Sequence, residues 1–331
     1  MESCITFKNL SIGYRPKHQL RVIASAVSAS LHPGELTCLI GANGVGKSTL
    51  LRTLCGFQPA LDGEILLQDQ PLSAYPAQQL ARQIGVVLTS RIDVPQLSVK
   101  EIVGIGRSPY TNFWGTLTPA DQQIVDEAIH QVGIRHLAQR NISELSDGER
   151  QKTMIAKALA QQTRIIILDE PTAFLDFPSK VETLQMLRRL AHEQHKAILL
   201  STHDVELALQ LADSLWLMEQ NRLSVGTPKS LATDGSLSRF LNRDGIRFNP
   251  EVMRIEIENA AHCIFLDDGN PDAFSLILCR LDAIHQTMEP DAGVHHHQPT
   301  DKVGQWYKSP SLRFFLQQFP YKIIFFVHNF N

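Results

Sequence analysis

The run Gly41-Ala42-Asn43-Gly44-Val45-Gly46-Lys47-Ser48 constrains this chain more than any other feature. It follows the mostly apolar stretch Leu36-Thr37-Cys38-Leu39-Ile40 and precedes a helical pattern that begins Thr49-Leu50-Leu51. Glycines let backbone N–H groups curl inward around oxyanions, and a helix start adds roughly half a positive charge at the same place. The run therefore reads as a phosphate-binding loop between a strand and a helix, with Lys47 on the terminal phosphates and the Ser48 hydroxyl on magnesium. An ordinary glycine-rich turn would explain the glycines. It gives no reason for Gly, Lys and Ser together at this spacing.

A chain of 331 residues has room for a large core and for one or two domains, at the usual ~150 residues each. Its 43% hydrophobic and 20% charged residues are those of a soluble globular protein. Lys and Arg total 31 against 34 Asp and Glu, and the net charge of -3 gives no argument for a nucleic-acid partner. Cys4, Cys38, Cys55, Cys263 and Cys279 are scattered and form no Cys-x-x-Cys pair, as expected of free, mostly buried thiols in a reduced compartment. The start Met1-Glu2-Ser3-Cys4 lacks the basic region and long apolar core of a secretory signal. No segment carries the ~18 consecutive apolar residues of a membrane span. A membrane role is therefore expected to come through a partner.

Periodicity gives the fold class. Ile5 and Phe7 alternate with more polar positions and 22–27 is a second apolar run, which predicts two short strands of a half-buried antiparallel sheet. The stretch 61–67 reads as turn then strand, and 84–88 as a buried strand. From 99 to 160 the pattern is helical, with 120–132 as one clear amphipathic stretch. Ile165-Ile166-Ile167-Leu168 and Ala197-Ile198-Leu199-Leu200 are compact apolar runs on either side of a helix predicted over 179–193. Strands alternating with helices predict an α/β fold whose largely parallel sheet is covered on both faces.

Two further segments carry chemistry. The run ending at Leu168 leads into Asp169-Glu170-Pro171-Thr172. A carboxylate at a buried strand end can hold magnesium, and the next can polarise the attacking water, so Asp169 is assigned to the metal and Glu170 to general-base duty. In Leu145-Ser146-Asp147-Gly148-Glu149-Arg150, Ser146 and Glu149 form a capping box that opens a helix over 151–160. A capped helix start with an adjacent glycine is also an anion site, which could face the terminal phosphate of a nucleotide held by another subunit.

Together these segments resemble the nucleotide-binding subunit of an ATP-binding cassette (ABC) transporter. The run 41–48 is similar to the family's Walker A, 165–170 to its Walker B with catalytic glutamate, and 145–149 to its signature sequence. Leu175-Asp176 resembles the D-loop, His203 in Ser201-Thr202-His203-Asp204 the switch histidine, and Tyr14 the aromatic that stacks on adenine. The resemblance covers roughly 4–245 and implies a phosphate-loop core with an antiparallel β subdomain and a helical insertion at about 90–160. It implies ATP and Mg2+ as cofactors, the metal being held by Ser48, Asp169 and the residue at the usual glutamine position, here Thr89. Catalysis falls to Glu170 and His203. Nucleotide binding falls to Tyr14, Gly41, Asn43, Gly44, Gly46, Lys47, Ser48 and Thr49, with Ser146, Gly148, Glu149 and Asp176 acting across a homodimer. Expected partners are a transmembrane permease and, indirectly, a substrate-binding protein, at the cytoplasmic face of the cell membrane.

Two positions depart from the family pattern. Thr89 stands where glutamine is usual, and Gln96 lies a few residues further on. Asp147 stands where glycine is usual and brings a carboxylate near the phosphate, at small cost if it points outward. Gly106-Arg107-Ser108-Pro109-Tyr110, Asp121, Gly133-Ile134-Arg135-His136-Leu137-Ala138 and Arg140 resemble the importers of iron-siderophore complexes, haem and cobalamin. Pro109, Tyr110, Phe113 and Trp114 form an aromatic patch that could equally line a permease groove or sit in the core. Beyond Asp244, an extension over 246–331 is expected to contain a strand at 251–257. Phe274, Ile277, Leu278, Leu281, Ile284 and Met288 recur at helical spacing. His295-His296-His297 reads as a loop, since adjacent histidines cannot all aim at one ion. Two other functions fit the same motifs: a soluble ABC protein acting on ribosomes or DNA, and a weakly hydrolysing regulatory module.

Overall fold

The computed structural model describes residues 3–14, 20–88, 96–112 and 114–257, together with the backbone of 264–266 and 276–278. Contacts divide the chain into one unit of Met1–Leu241 with Phe248–Arg254 and a second of Asn242–Arg247 with Ile255–Asn331.

In the first unit, the aliphatic runs become the strands of a six-stranded sheet. Leu36–Gly41 (β3), Ile165–Leu168 (β7) and Ala197–Thr202 (β8) are buried at every position, which suits central strands covered on both faces. Ile84–Val87 (β6) and Ser214–Glu219 (β9) flank them in parallel, and Arg222–Gly226 (β10) closes one edge antiparallel to β9, giving the order β10-β9-β3-β8-β7-β6. A second, four-stranded antiparallel sheet has the order β2-β1-β4-β5, from Ile5–Tyr14 (β1), Arg21–Leu31 (β2), Asp62–Leu67 (β4) and Gln70–Pro71 (β5). β1 and β2 run longer than the apolar alternation predicts, because Ala29 and Ser30 continue the ladder without an apolar signal. Phe7 of β1 packs edge-on against Trp216 of β9, with ring centroids 5.5 Å apart and planes at 75°.

The helices among the described residues are Lys47–Leu54 (α1), Ala77–Ala81 (α2), Val99–Ile105 (α3), Pro119–Gln131 (α4), Asp147–Ala160 (α5), Phe177–Gln194 (α6), Val205–Leu211 (α7), Pro228–Thr233 (α8) and Ser236–Leu241 (α9). Between β6 and β7 the predicted helical stretch is three helices, α3, α4 and α5, packed on one another. Each restarts at its own capping box, Ser98 with Glu101, Thr118 with Asp121 and Ser146 with Glu149. Helix α5 therefore starts at Asp147, inside the signature, and not at Gln151.

In the second unit, Leu276–Leu278 is a strand paired antiparallel with Ile264–Leu266. This corrects the helix expected around Ile277 and Leu278; a short apolar run carries too little periodicity to tell strand from helix. Phe274, Leu281, Ile284, Met288 and the histidines 295–297 lie outside the described residues, as do Thr89 and Phe113. The strand expected over 251–257 is shorter, Arg254–Ile257, because the chain turns at Met253 with φ 53°.

Candidate nucleotide site

The phosphate loop is held open by backbone that only glycine takes comfortably. Gly44 and Gly46 have φ of 76° and 116°, and a Cβ at Gly46 would run into Ile23 Cγ2. Gly46 is also the N-cap of α1 and offers no capping side chain, so the first N–H groups of α1 stay without a side-chain acceptor. The start of α1 is thus an anion site by construction.

Lys47 is 5% exposed and folds back on its own loop, donating to Gly41 O at 2.9 Å and Ala42 O at 3.3 Å. Burial lowers its pKa, while Glu170 and Asp169 pull it back up. Its Nζ also lies 3.3 Å from His203 Nε2, and the same ring nitrogen lies 2.8 Å from Glu170 Oε1. One imidazole nitrogen cannot accept from Lys47 and donate to Glu170 at once. The three groups converge on one point from the ends of β8 and β7 and from the loop, where a phosphate oxygen accepting from Lys47 would leave the His203 nitrogen to Glu170 alone.

A second convergence lies beside the first. Ser48 Oγ donates to Asp169 Oδ1 at 3.1 Å, and the buried Ser201 Oγ donates to the same oxygen at 2.8 Å. Ser201 Oγ in turn accepts from the Glu170 N–H at 2.9 Å. Glu170 itself has φ 51°, a left-handed conformation uncommon for a residue with a side chain. Two hard oxygens, a hydroxyl and a carboxylate, suit magnesium, which draws its other ligands from water and substrate phosphates. Among the described residues no group of three or more His, Cys, Asp or Glu could hold a metal, and magnesium bound in this manner needs none.

Tyr14 reaches the same helix start, its hydroxyl 2.7 Å from Thr49 Oγ1 and its side chain 41% exposed. Asn43 is exposed on the loop. The signature lies with a different part of the unit. A Cβ at Gly148 would sit 3.8 Å from both Leu175 Cδ2 and Ser179 Oγ, so the start of α5 abuts the turn after Glu170. Ser146 and Glu149 spend their polar atoms on each other: the Glu149 N–H donates to Ser146 Oγ at 3.3 Å, and Glu149 Oε2 accepts from the Ser146 N–H at 2.9 Å. Bonds from the backbone and side chain of Ser146 lower the Glu149 pKa. Asp147 is half exposed and turns toward Arg150, 3.8 Å away, the outward arrangement. Asp176 caps α6 by accepting from Ser179 N–H at 3.1 Å, and bonds from the side chain and then the backbone of Ser179 lower its pKa.

Several contacts were not anticipated from the sequence. Asp204 receives Lys180 Nζ at 2.9 Å and Thr172 Oγ1 at 3.2 Å, tying the residue after His203 to the turn after Glu170 and to α6. Ser201 and Thr202 carried a usable signal, since hydroxyls closing an otherwise aliphatic buried strand need partners. In the helical insertion the aromatic patch divides. Pro109 is buried and its carbonyl accepts from Gln78 and Arg82; Tyr110 lies under Arg107 at 4.1 Å and Arg82 at 4.9 Å; Trp114 is 83% exposed.

The comparisons with known proteins bear on this geometry. A family model for ABC transporters matches residues 24–173. The hemin import ATP-binding protein HmuV of Bordetella pertussis is 38% identical over 227 residues, 66% of this chain and 85% of that protein. The achromobactin transport ATP-binding protein CbrD of Dickeya dadantii is 32% identical over 244 residues, 73% of this chain and 89% of that protein. This chain belongs to the ABC transporter family, as an ATP-binding subunit. The dimeric structure of a bacterial ABC transporter cassette superposes with a TM-score of 0.60 at 22% identity, over 68% of this chain and 98% of that one, and so shows the shared fold. As a member of that family the chain is an ABC ATPase. Among its described residues no helix is long and apolar enough to cross a membrane.

Proposed function

We propose that this chain is the ATP-hydrolysing subunit of a membrane importer for iron-siderophore complexes, haem or cobalamin, working as a homodimer at the cytoplasmic face of the membrane beneath a permease. The observation that carries the catalytic reading is the meeting of Lys47, His203 and Glu170 at one point, beside Asp169 and Ser48. In this reading Tyr14 stacks on adenine, while the backbone of Gly41, Asn43, Gly44 and Gly46 and the start of α1 at Thr49 cradle the phosphates. Lys47 leaves the Gly41 and Ala42 carbonyls for the terminal phosphate. Magnesium held by Ser48 and Asp169 would neutralise charge on the phosphate oxygens. Glu170 leaves His203, takes the proton of a water whose oxygen attacks the terminal phosphorus, and the bond to the leaving ADP breaks. His203 then donates to the phosphate being released.

The site is incomplete in one copy. Gly148 lies beside Leu175 and Ser179, Ser146 and Glu149 are bonded to each other, and among the described residues no hydrogen bond joins the three to their own phosphate loop. In this reading they close over the nucleotide of a second copy, with Asp176 at the same seam. The importer class is supported by HmuV, named for hemin import, by CbrD, named for achromobactin transport, and by residues 106–110, Asp121, 133–138 and Arg140. The permease partner and, through it, a substrate-binding protein follow from that class.

The test is to purify the chain with the permease that accompanies it, reconstitute the complex in vesicles, and supply Mg2+ and ATP with a ferric siderophore, haem or cobalamin outside. Phosphate release coupled to accumulation of one of these is expected. Hydrolysis without accumulation of any would sink the importer class, and a complex without phosphate release would sink the catalytic reading.

A further inference from the structure

We infer that Ser201 is a positioning residue for ATP hydrolysis, its buried hydroxyl setting the carboxylate of Asp169 and the backbone of Glu170 in one arrangement. The inference rests on the roles given above to Asp169 and Glu170. Parallel pairing of Leu168 with Leu200 brings the next residues of β7 and β8 side by side, while Leu39 of β3, the strand that feeds the phosphate loop, pairs with Ser201 on its other side. Ser201 is fully buried. Its hydroxyl has one proton to give and gives it to Asp169 Oδ1 at 2.8 Å; its oxygen takes the Glu170 N–H at 2.9 Å. One small side chain thus touches the proposed metal carboxylate and the main chain of the proposed base.

The ladder and the phosphate loop hold Asp169 by bonds of their own. The ladder with β6 holds Asp169 through its N–H to Val87 O at 2.8 Å, and Glu170 is the first residue beyond that ladder. It is also where φ turns to 51°, held there by its N–H on Ser201 and by its carbonyl, which accepts from the Ala173 N–H at 3.1 Å. The Ser48 hydroxyl that shares Asp169 Oδ1 belongs to the phosphate loop and is the group expected to turn toward magnesium. Ser201 stands on a central strand, and both of its bonds run to β7 or the residues that follow it rather than to the phosphate loop. A buried serine satisfied at a strand end would look similar if its role were only structural. The difference shows in which quantity falls when the hydroxyl is removed.

The experiment uses the full chain with Ser201→Ala, Ser201→Thr and Ser201→Val. In Ser201→Ala, kcat is expected to fall about tenfold or more while KM for ATP stays within about threefold, since misplacing catalytic groups costs rate more than binding. Ser201→Thr, which keeps the hydroxyl, should recover most of the rate, and Ser201→Val, of the same shape without it, should not. Titration with a fluorescent ATP analogue supplies a readout apart from turnover: the affinity gained on adding Mg2+ should shrink in Ser201→Ala, with affinity in EDTA unchanged. Ser201→Ala that keeps more than about half of wild-type kcat, or a Ser201→Val no slower than Ser201→Thr, would overturn the inference. Such results beside an active wild type would leave the ATPase reading intact; a wild type that releases no phosphate would remove both.

Discussion

Helix α1 begins at Gly46 with no capping side chain, no acidic residue in its first turn and Lys47 beside it, whereas α5 begins at Ser146 with a closed capping box and two carboxylates, Asp147 and Glu149, in its first turn. Both are helix N-termini and both carry the same partial positive charge. At α1 the N–H groups are left for a ligand. At α5 one is already used by Ser146 Oγ, and the carboxylates answer the dipole from within the chain. The first end is built to capture an anion by itself. The second can add to an anion already held, with little affinity of its own, which suits a helix that closes over the nucleotide of another copy.

The sharpest break of this comparison comes from the chemistry between the two ends. Glu170→Gln keeps both helix starts and the size of the side chain, so ATP binding and closure should survive. Loss of a positioned base should lower turnover by about 100- to 10,000-fold. With ATP and Mg2+ the variant should elute as a dimer on gel filtration. Normal phosphate release would remove Glu170 from its role, and a monomer with bound ATP would remove α5 from the closed site.

Next in size is Lys47→Ala. Lys47 is buried near the carboxylates of Glu170 and Asp169 and held by loop carbonyls, a position from which its Nζ can turn to an incoming phosphate. A charged hydrogen bond is worth ~1.5–3 kcal/mol, so fluorescent-nucleotide affinity should drop roughly 10- to 100-fold. Unchanged affinity would mean that the N–H groups of α1 capture the phosphates alone.

The contrast between α1 and α5 also shows where sequence was enough. The phosphate loop was legible because its chemistry is local: Gly44 and Gly46 are required by their own φ values, and Lys47 by the loop it closes. The capping box of Ser146 and Glu149 was legible for the same reason, as was the buried strand at 165–168. The contacts among Ser201, Asp169 and Glu170, and among Asp204, Lys180 and Thr172, join residues some thirty positions apart through the pairing of β7 with β8 and the packing of α6. No spacing rule reports such partners. The helical pattern over 99–160, with 120–132 as its clearest stretch, was legible too; its division into α3, α4 and α5 is set by Pro109, Gly115 and Pro119 and by the capping boxes.

A smaller effect tests the start of α5 alone. Ser146→Ala removes a cap worth ~1 kcal/mol of helix stability. Because the signature is assigned to the second copy, monomer affinity for nucleotide should not change, while turnover and its steepness with protein concentration should fall. A loss of affinity at concentrations where the protein is monomeric would place Ser146 at its own phosphate loop and undo the comparison.

The smallest effect concerns a third helix start, α4, which contains a capping box like that of α5 but has an added cation. Asp121 is held by the side chain and backbone N–H of Thr118, and then by Arg107 Nε at 2.8 Å; these bonds bring its pKa down to about 2. Arg107 also donates to Ala160 O at 2.9 Å and Gln162 Oε1 at 3.0 Å, so this box ties α4 to the end of α5. The sign follows from the direction of the shift. A carboxylate with a lowered native pKa stabilises the fold above its ordinary value of 3.8, and that contribution is lost as pH falls toward about 2. Thr118→Ala removes the largest cause, so the native pKa should rise toward the ordinary value. In urea titrations at neutral pH the variant should be less stable than wild type, and the gap should shrink as pH is lowered from about 4 toward 2. A gap that stayed constant through that range would mean that Thr118 acts as a neutral cap alone, and that Arg107 by itself keeps Asp121 ionised at the junction of α4 with α5.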